Sequence, residues 1–229
     1  MSDTVNVEAL GRELESLGLL IRGGFHPNEE HGVPPLSDGR AVSTVLIVGN
    51  AGPAMWQVFS ADQSLAPGPN RMNRWTEKVI GEFGERWQAA VWFPFQGPPY
   101  FPFQRWAQQA EQVWSSPLGI LMHPEYGLWH AYRAALGFAQ CLQLEQPVEQ
   151  TSPCLRCEAQ PCLTTCPVEA FDGASYAVDR CRAHIATAEG SDCLQQGCRA
   201  RRACPIGAEF QYVPEQAGFH MQAFLSPVE

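Results

Sequence analysis

The feature that most constrains this chain is a run of four cysteines followed directly by proline. The run lies in residues 153–171, and its spacing is C-x2-C-x4-C-x3-C-P. A tight loop with this spacing aims three thiolates at one point, and a short helical turn carries the fourth away. Such geometry suits a cubane iron–sulfur cluster, and thiolates are the soft ligands that select iron–sulfur clusters, zinc or Cu(I). We expect cluster binding, with structural zinc as the alternative. The four residues are Cys154, Cys157, Cys162 and Cys166.

A second, less regular cysteine group follows and again ends in Cys-Pro. Together the two groups supply eight thiolates, which favours two [4Fe–4S] clusters over one. In two-cluster ferredoxins the fourth cysteine of the run serves the other cluster. A single-cluster protein with spare thiols is the alternative, because Cys193 and Cys198 depart from C-x2-C spacing. The crossover rule assigns Cys154, Cys157, Cys162 and Cys204 to one cluster, and Cys166, Cys181, Cys193 and Cys198 to the other.

The bulk properties of the chain bear on its partners and its compartment. The 229 residues carry a net charge of −9, with a pI of about 5.1. We therefore expect no nucleic-acid partner and no membrane partner. The first residues have no signal-peptide pattern, and no apolar run approaches the ~18 residues of a membrane span. These patterns predict a soluble cytoplasmic protein with reduced or metal-bound cysteines, in which Cys141, outside both groups, is a buried small hydrophobe.

The distribution of tryptophan and cysteine predicts two domains. All seven tryptophans lie at or before Trp129, and eight of the nine cysteines lie at or after Cys154. We expect a first domain over 1–142, a polar linker over 143–152 and an iron–sulfur domain over 153–229. Alternating helix and strand patterns predict an α/β or α+β first domain. The expected helices are 5–18, 54–59, 73–83, 104–114, 183–188 and 214–225, and the expected strands are 42–48, 88–93, 118–122, 128–136 and 176–179.

Two further patterns have open interpretations. The aromatic loop over 93–103 either lines a planar ligand or plugs the hydrophobic core. Arginines crowd the second cysteine group, where they would favour the reduced form of an anionic cluster, dock an acidic partner or be ordinary surface charge. These arginines are Arg180, Arg182, Arg199, Arg201 and Arg202.

The cysteine region resembles known iron–sulfur domains. Residues 151–210 are similar to two-cluster bacterial ferredoxins. Their layout, with one run, a lone cysteine, an insert and a final group ending in Cys-Pro, also resembles epoxyqueuosine reductase and corrinoid reductive dehalogenases. In those families such a domain feeds electrons to cobalamin held by a nitroreductase-like domain. The resemblance implies an α+β protein with a nitroreductase-like N-terminal domain and a dicluster ferredoxin-like domain.

A second resemblance concerns the first domain. Residues 43–48 with 53–56, and the segment 120–133, are similar to the cobalamin-processing protein of the methylmalonic aciduria type C family. The shared pattern is His-Pro-x-x-Gly-x-Trp-x-x-x-Arg. It implies that Arg133 contacts a glutathione co-substrate and that His123 and Trp129 belong to the ligand pocket. The alternative for His123 and Trp129 is a strand-turn-strand corner with a packed tryptophan.

These observations predict a redox protein. Electrons would enter from a partner redox protein, pass through two [4Fe–4S] clusters and reach a ligand in the first domain, for which cobalamin is the candidate. The alternative is a simple electron carrier whose first domain docks a partner oxidoreductase and binds no cofactor. The sequence leaves open whether the protein is an enzyme.

Overall fold

In the computed structural model, which describes residues 5–145 and 149–226, the chain forms a mixed α/β fold with a small antiparallel sheet. Its helices and strands differ in length from the predicted ones but follow a similar order. The helices are α1 (Val7–Glu15), α2 (Ala54–Ala61), α3 (Arg71–Trp87), α4 (Phe103–Ala110), α5 (Pro161–Thr164), α6 (Val178–Ile185), α7 (Ser191–Gln196), α8 (Arg199–Arg202) and α9 (Pro214–Leu225). The strands are β1 (Leu20–Phe25), β2 (Thr44–Ala51), β3 (Ala90–Trp92), β4 (Trp114–Ser115), β5 (Leu121–Met122) and β6 (His130–Phe138).

The chain divides into two compact units that are interleaved in sequence. The first unit comprises Met1–Gln112 and Ala131–Glu149, and the second comprises Val113–His130 and Gln150–Glu229. Our expected domains were continuous, whereas here residues 113–130 join the cysteine-rich unit. The physical reason is packing, because Leu118, Met122 and Leu128 share a hydrophobic core with the cysteines. Residues 146–148, inside the predicted linker, lie outside the described part of the chain.

A four-stranded sheet organises the first unit. Its strand order is β1-β2-β6-β3, and β1 with β2 and β3 with β6 pair antiparallel. The first seven residues of β2 are all buried, which fits a strand that is covered on both faces. Helix α1 is shorter than the predicted 5–18, since the Asn6 side chain caps its start by accepting from the Ala9 N–H at 3.0 Å. Its Leu10 and Leu14 side chains are fully buried.

The aromatic loop before α4 contributes to the core of the first unit. Phe93 and Phe103 are buried, and Phe101 stacks on Trp106 with ring centroids 5.7 Å apart. Tyr100, by contrast, is 65% exposed. The loop thus packs its phenylalanines as a core plug, one of the two interpretations from the sequence.

Several predicted elements change in the structure. Helix α4 ends at Ala110 rather than at residue 114, and Trp114 instead begins the short hairpin of β4 and β5. The predicted strand over 176–179 reduces to one bridge between Phe171 and Tyr176, after which α6 begins. The expected burial of Cys141 is wrong: it is exposed, because the neighbouring Leu142 takes the buried position at 3% exposure. In contrast, α9 is confirmed with the predicted bounds. Within the described residues, no helix has the length and apolarity needed to cross a membrane.

Candidate metal centre

The first cysteine-lined cavity lies in the second unit and is built by three short elements. Cys154 lies in a single 3-10 turn, Cys157 follows that turn, Cys162 lies in α5, and Cys204 follows α8. These four side chains line one cavity with an empty volume of about 410 Å³, including space open to solvent. They are the four cysteines that we assigned to one cluster.

The remaining wall of this first cavity is largely apolar. It includes Leu118, Met122, Leu128 and Ile206. The Gly127 backbone, in a left-handed conformation with φ of +56°, approaches the Ile206 carbonyl so closely that a Cβ would clash. The glycine of the His-Pro-x-x-Gly pattern therefore packs against the segment that follows Cys204.

The thiols of the first cavity influence one another electrostatically. Burial raises the pKa of Cys162, and the nearby Cys204, Cys154 and Cys157 thiols raise it further. Burial raises the pKa of Cys204 as well, although a hydrogen bond from the Ile206 N–H opposes this rise. Because metal ligation requires thiolates, such a site binds its group with release of protons.

The second cavity gathers the other four cysteines, also within the second unit. Cys166 follows α5, Cys181 lies in α6, Cys193 lies in α7, and Cys198 directly precedes α8. They line a cavity with an empty volume of about 300 Å³, including space open to solvent. Its other walls include Phe171, Ile185 and Met221.

Hydrogen-bond donors face the sulfurs of the second cavity. The Ala170 N–H lies 3.3 Å from the Cys166 sulfur. Burial raises the pKa of Cys198, while backbone donors at Arg201 and Ala200 lower it. Burial also raises the pKa of Cys181, and a hydrogen bond with Tyr176 lowers it. Donors of this kind favour the thiolate form that ligates metal.

The donor set of each cavity indicates what kind of group it could hold. Four cysteines line each cavity, and thiolates are the soft ligands that select iron–sulfur clusters, zinc or Cu(I). Among residues 5–145 and 149–226, no three His, Cys, Asp or Glu side chains are arranged to hold one metal ion. Four cysteine thiols around each cavity are a donor set that fits an iron–sulfur cluster.

The arginines near the second group mostly hold the backbone and other side chains in place. Arg180 donates to the Val168 and Glu169 carbonyls, and Arg182 donates to the Phe224 carbonyl. Two further members, Arg199 and Arg202, form ion pairs with Asp192, next to Cys193. Of the five, Arg199 lines the second cavity.

Arg201 contacts Leu128 and Trp129, in the segment that follows the β4–β5 hairpin. Its Nε donates to the Leu128 carbonyl at 3.1 Å. Its guanidinium lies 4.4 Å from the Trp129 ring centroid and 4.6 Å from that of Tyr212. Trp129 is 2% exposed and packs edge-on against Tyr212. The structure thus gives Trp129 a packing role, as in the corner interpretation.

His123 closes the turn that precedes Trp129. Its Nδ1 accepts from the Glu125 N–H at 3.1 Å and from the Tyr126 N–H at 3.0 Å. Its ring also stacks on Tyr126, with centroids 4.3 Å apart. Because Nδ1 accepts both bonds, the proton of the neutral ring lies on Nε2. His123 and Trp129 both belong to the second unit, whereas Arg133 belongs to the first.

Arg133 belongs to a polar network that the sequence analysis missed. Its Nε donates to the Oδ1 of the fully buried Asn50 at 2.8 Å. Nearby, the Arg22 guanidinium pairs with Glu111 at 3.0 Å, and the Tyr132 hydroxyl donates to Glu111 at 2.7 Å. Burial raises the pKa of Glu111, and Arg22 opposes that rise. The only sequence signal was the presence of polar residues within the apolar β1 and β2 segments.

Comparison with known proteins supplies a fold relationship. No family model matches the chain, and no curated protein matches it in sequence. Solved structures of epoxyqueuosine reductase do match in fold. A selenomethionine-labelled epoxyqueuosine reductase is 13% identical with a TM-score of 0.53, and the match covers 92% of this chain and 68% of that chain. The Bacillus subtilis enzyme is 14% identical with a TM-score of 0.51, and the match covers the same shares, 92% and 68%.

A third match is an epoxyqueuosine reductase solved with a tRNA stem loop. It is 14% identical with a TM-score of 0.52, and the match covers 92% of this chain and 68% of that chain. At identities of 13–14%, the TM-scores of 0.51–0.53 show a likeness of fold alone. The likeness supports the resemblance to epoxyqueuosine reductase that the cysteine layout indicated.

Proposed function

We propose that this chain is an iron–sulfur redox protein with one [4Fe–4S] cluster in each cysteine-lined cavity. The observation that carries the proposal is the division of eight cysteines, four and four, around two separate cavities. Cys154, Cys157, Cys162 and Cys204 would hold the first cluster. Cys166, Cys181, Cys193 and Cys198 would hold the second. When bound, each cluster supplies one-electron transfer.

The chain's own residues would supply charge, hydrogen bonds and shielding from water. Backbone donors at Ala170, Ala200, Arg201 and Ile206 reach cysteine sulfurs. Apolar side chains line much of both cavities. Net charge, hydrogen bonds to sulfur and exposure to solvent are the levers that set the potential of a cluster.

We further propose that the first unit binds the electron acceptor. Support comes from the fold likeness to reductases and from the polar group around Arg133 and Asn50. The sequence resemblance makes cobalamin the candidate acceptor, with Arg133 as a contact. Because His123 and Trp129 already close and pack the turn of the second unit, they are weaker candidates for cofactor contacts. Titration of the reconstituted, anaerobic protein with cob(II)alamin tests this step. Unchanged corrinoid spectra would favour the alternative, a simple electron carrier whose first domain binds no cofactor.

RNA needs a separate test, because one protein of similar fold conflicts with our expectation of no nucleic-acid partner. One of the matched epoxyqueuosine reductases was solved with a tRNA stem loop. The expectation relied on the net charge of the whole chain, which is a poor guide to local phosphate-binding surfaces. Fluorescence anisotropy of a labelled tRNA stem loop, measured at low and high salt, decides the question. Salt-sensitive binding would make RNA a partner, and an unchanged anisotropy would restore the original expectation.

The spectrum of the reconstituted protein tests the cluster proposal itself. Clusters predict a broad absorbance near about 400 nm that bleaches with dithionite, since thiolate-bound iron is coloured and redox-active whereas d¹⁰ zinc is not. Iron and acid-labile sulfide should each approach about eight per chain. About four of each would support the single-cluster alternative. A colourless protein with stoichiometric zinc would contradict the proposal.

A further inference from the structure

The two cavities differ in the charge of their walls. Apart from its cysteines, the first cavity is lined by uncharged residues of the described chain. The wall of the second cavity includes Arg199 and, among the described residues, no Asp or Glu. Arg199 directly follows Cys198, so it is attached to a segment that supplies one of the four cysteines. The proposed function gives this arginine no role.

Arg199 belongs to an ion triad that joins α7 to α8. The Asp192 carboxylate accepts from the Arg199 Nε at 2.6 Å and from the Arg202 guanidinium. Arg202 also donates to the Gly197 carbonyl at 3.2 Å, at the end of α7. Two guanidiniums and one carboxylate give the ion triad a net charge of +1. The whole chain, in contrast, carries a net charge of −9.

The ion triad adjoins two cysteines of the second cavity and is partly shielded from solvent. Asp192 directly precedes Cys193 in α7, just as Arg199 follows Cys198. The side chains of Asp192, Arg199 and Arg202 are 35%, 43% and 30% exposed. Partly buried charges are screened less by water and salt than fully exposed ones. Their net charge therefore acts on whatever group the second cavity holds.

We propose that the ion triad raises the reduction potential of the cluster in the second cavity. The inference rests on the proposed function, because it requires Cys193 and Cys198 to be ligands of a cluster. One electron, supplied by the partner redox protein, adds one negative charge to the cluster and its thiolates. A net positive charge nearby stabilises this reduced state more than the oxidised state. Within the ion triad Arg199 adds to the effect and Asp192 opposes it, although the two side chains hold each other in place.

The test removes the two charges separately and then together. Asp192→Asn takes the net charge of the ion triad from +1 to +2, Arg199→Gln takes it from +1 to 0, and the double variant restores +1. Arg199→Lys keeps the charge and loses the planar guanidinium. Asp38→Asn is the matched control, since Asp38 pairs with Arg40 in the first unit and lies outside both cavities.

Two measurements are made on each anaerobically reconstituted variant. Iron and sulfide per chain are measured first. The two potentials then follow from redox titrations monitored by electron paramagnetic resonance. The signal that is lost from a Cys193→Ser variant identifies the second cluster, because Cys193 lines only the second cavity.

The expected result is a pair of opposite shifts. Asp192→Asn should raise the reduction equilibrium constant of the second cluster about three- to tenfold, about 28–59 mV for one electron. Arg199→Gln should lower it by a similar factor, whereas the double variant and Arg199→Lys should stay within about twofold of the wild type. The first cluster should shift less in every variant, and Asp38→Asn should shift neither cluster.

Several outcomes would overturn the inference while leaving the clusters in place. Shifts of Asp192→Asn and Arg199→Gln in the same direction would mean that the pair acts through structure rather than through charge. Unchanged potentials in fully loaded variants, or equal shifts of both clusters, would remove the tuning role. Loss of about four irons from either single variant would assign its residue to cluster retention instead. A wild-type protein that takes up no iron and sulfide would contradict the proposed function, which the first measurement distinguishes from failure of the inference.

Discussion

Replacement of Arg201 by glutamine tests how the second unit holds its cavity-forming segments together. The substitution removes the guanidinium that donates to the Leu128 carbonyl, and Leu128 is 2% exposed. Leaving a buried acceptor unsatisfied costs about 1–3 kcal/mol. The contacts of the guanidinium with the Trp129 and Tyr212 rings add about 0.5–2 kcal/mol. We expect the free energy of unfolding to fall by about 1.5–5 kcal/mol in total.

Thermal melting of the reconstituted protein measures this effect. For a chain of this size, 1 kcal/mol corresponds to about 2–4 °C in Tm, so the expected decrease is about 3–20 °C. Arg105→Gln removes the same charge from an exposed position on α4 and should melt within about 1–2 °C of the wild type. Arg201→Lys keeps the charge but loses the planar fork, and an intermediate Tm is expected. If Arg201→Gln had the same Tm as the Arg105→Gln control, the stabilising role of the Arg201 contacts would be wrong.

Two further predictions concern the first unit and the thiols. Glu111→Ala leaves the buried Arg22 without its carboxylate, so the free energy of unfolding measured by urea titration should fall by about 3–5 kcal/mol. Tyr132→Phe removes only one hydrogen bond to Glu111 and should cost about 1 kcal/mol. Equal effects of the two substitutions would contradict the ion-pair account. In the cluster-free protein, burial raises the pKa of these thiols above the ordinary range of a cysteine, so their folded forms retain protons at neutral pH; the thiols are Cys154, Cys162, Cys181, Cys198 and Cys204. Iodoacetamide should therefore label these thiols slowly at pH 7 and faster as pH rises past about 8.5, the pKa of a free cysteine, and rapid labelling at pH 7 would contradict their burial.

The cysteine constellation was accessible from the sequence because its chemistry depends on local spacing. The run from Cys154 to Cys166 encodes a loop and a short helix, and both occur in the structure. Helix α9 was also predictable, since Pro214 fixes its start and apolar residues recur at helical spacing. Signals of this kind act over a few residues and survive tertiary packing.

Contacts between distant segments were not accessible in this way. Arg22 and Glu111 are 89 positions apart, and Arg201 and Leu128 are 73 apart. Residues 113–130 join the second unit through packing that no local pattern encodes. Likewise, Tyr176 has strand propensity, but only one residue pair forms before α6 begins at Val178. Tertiary context decided each of these cases.

Iron stoichiometry in a set of cysteine variants tests the central claim most directly. The wild type and Cys141→Ser, which lies outside both cavities, should each hold about eight irons per chain. Cys162→Ser and Cys193→Ser should each hold about four, and the double variant should hold none, because each substitution opens a different cavity. If Cys162→Ser and Cys193→Ser each retained the full wild-type iron, the assignment of one cluster to each cavity would be contradicted.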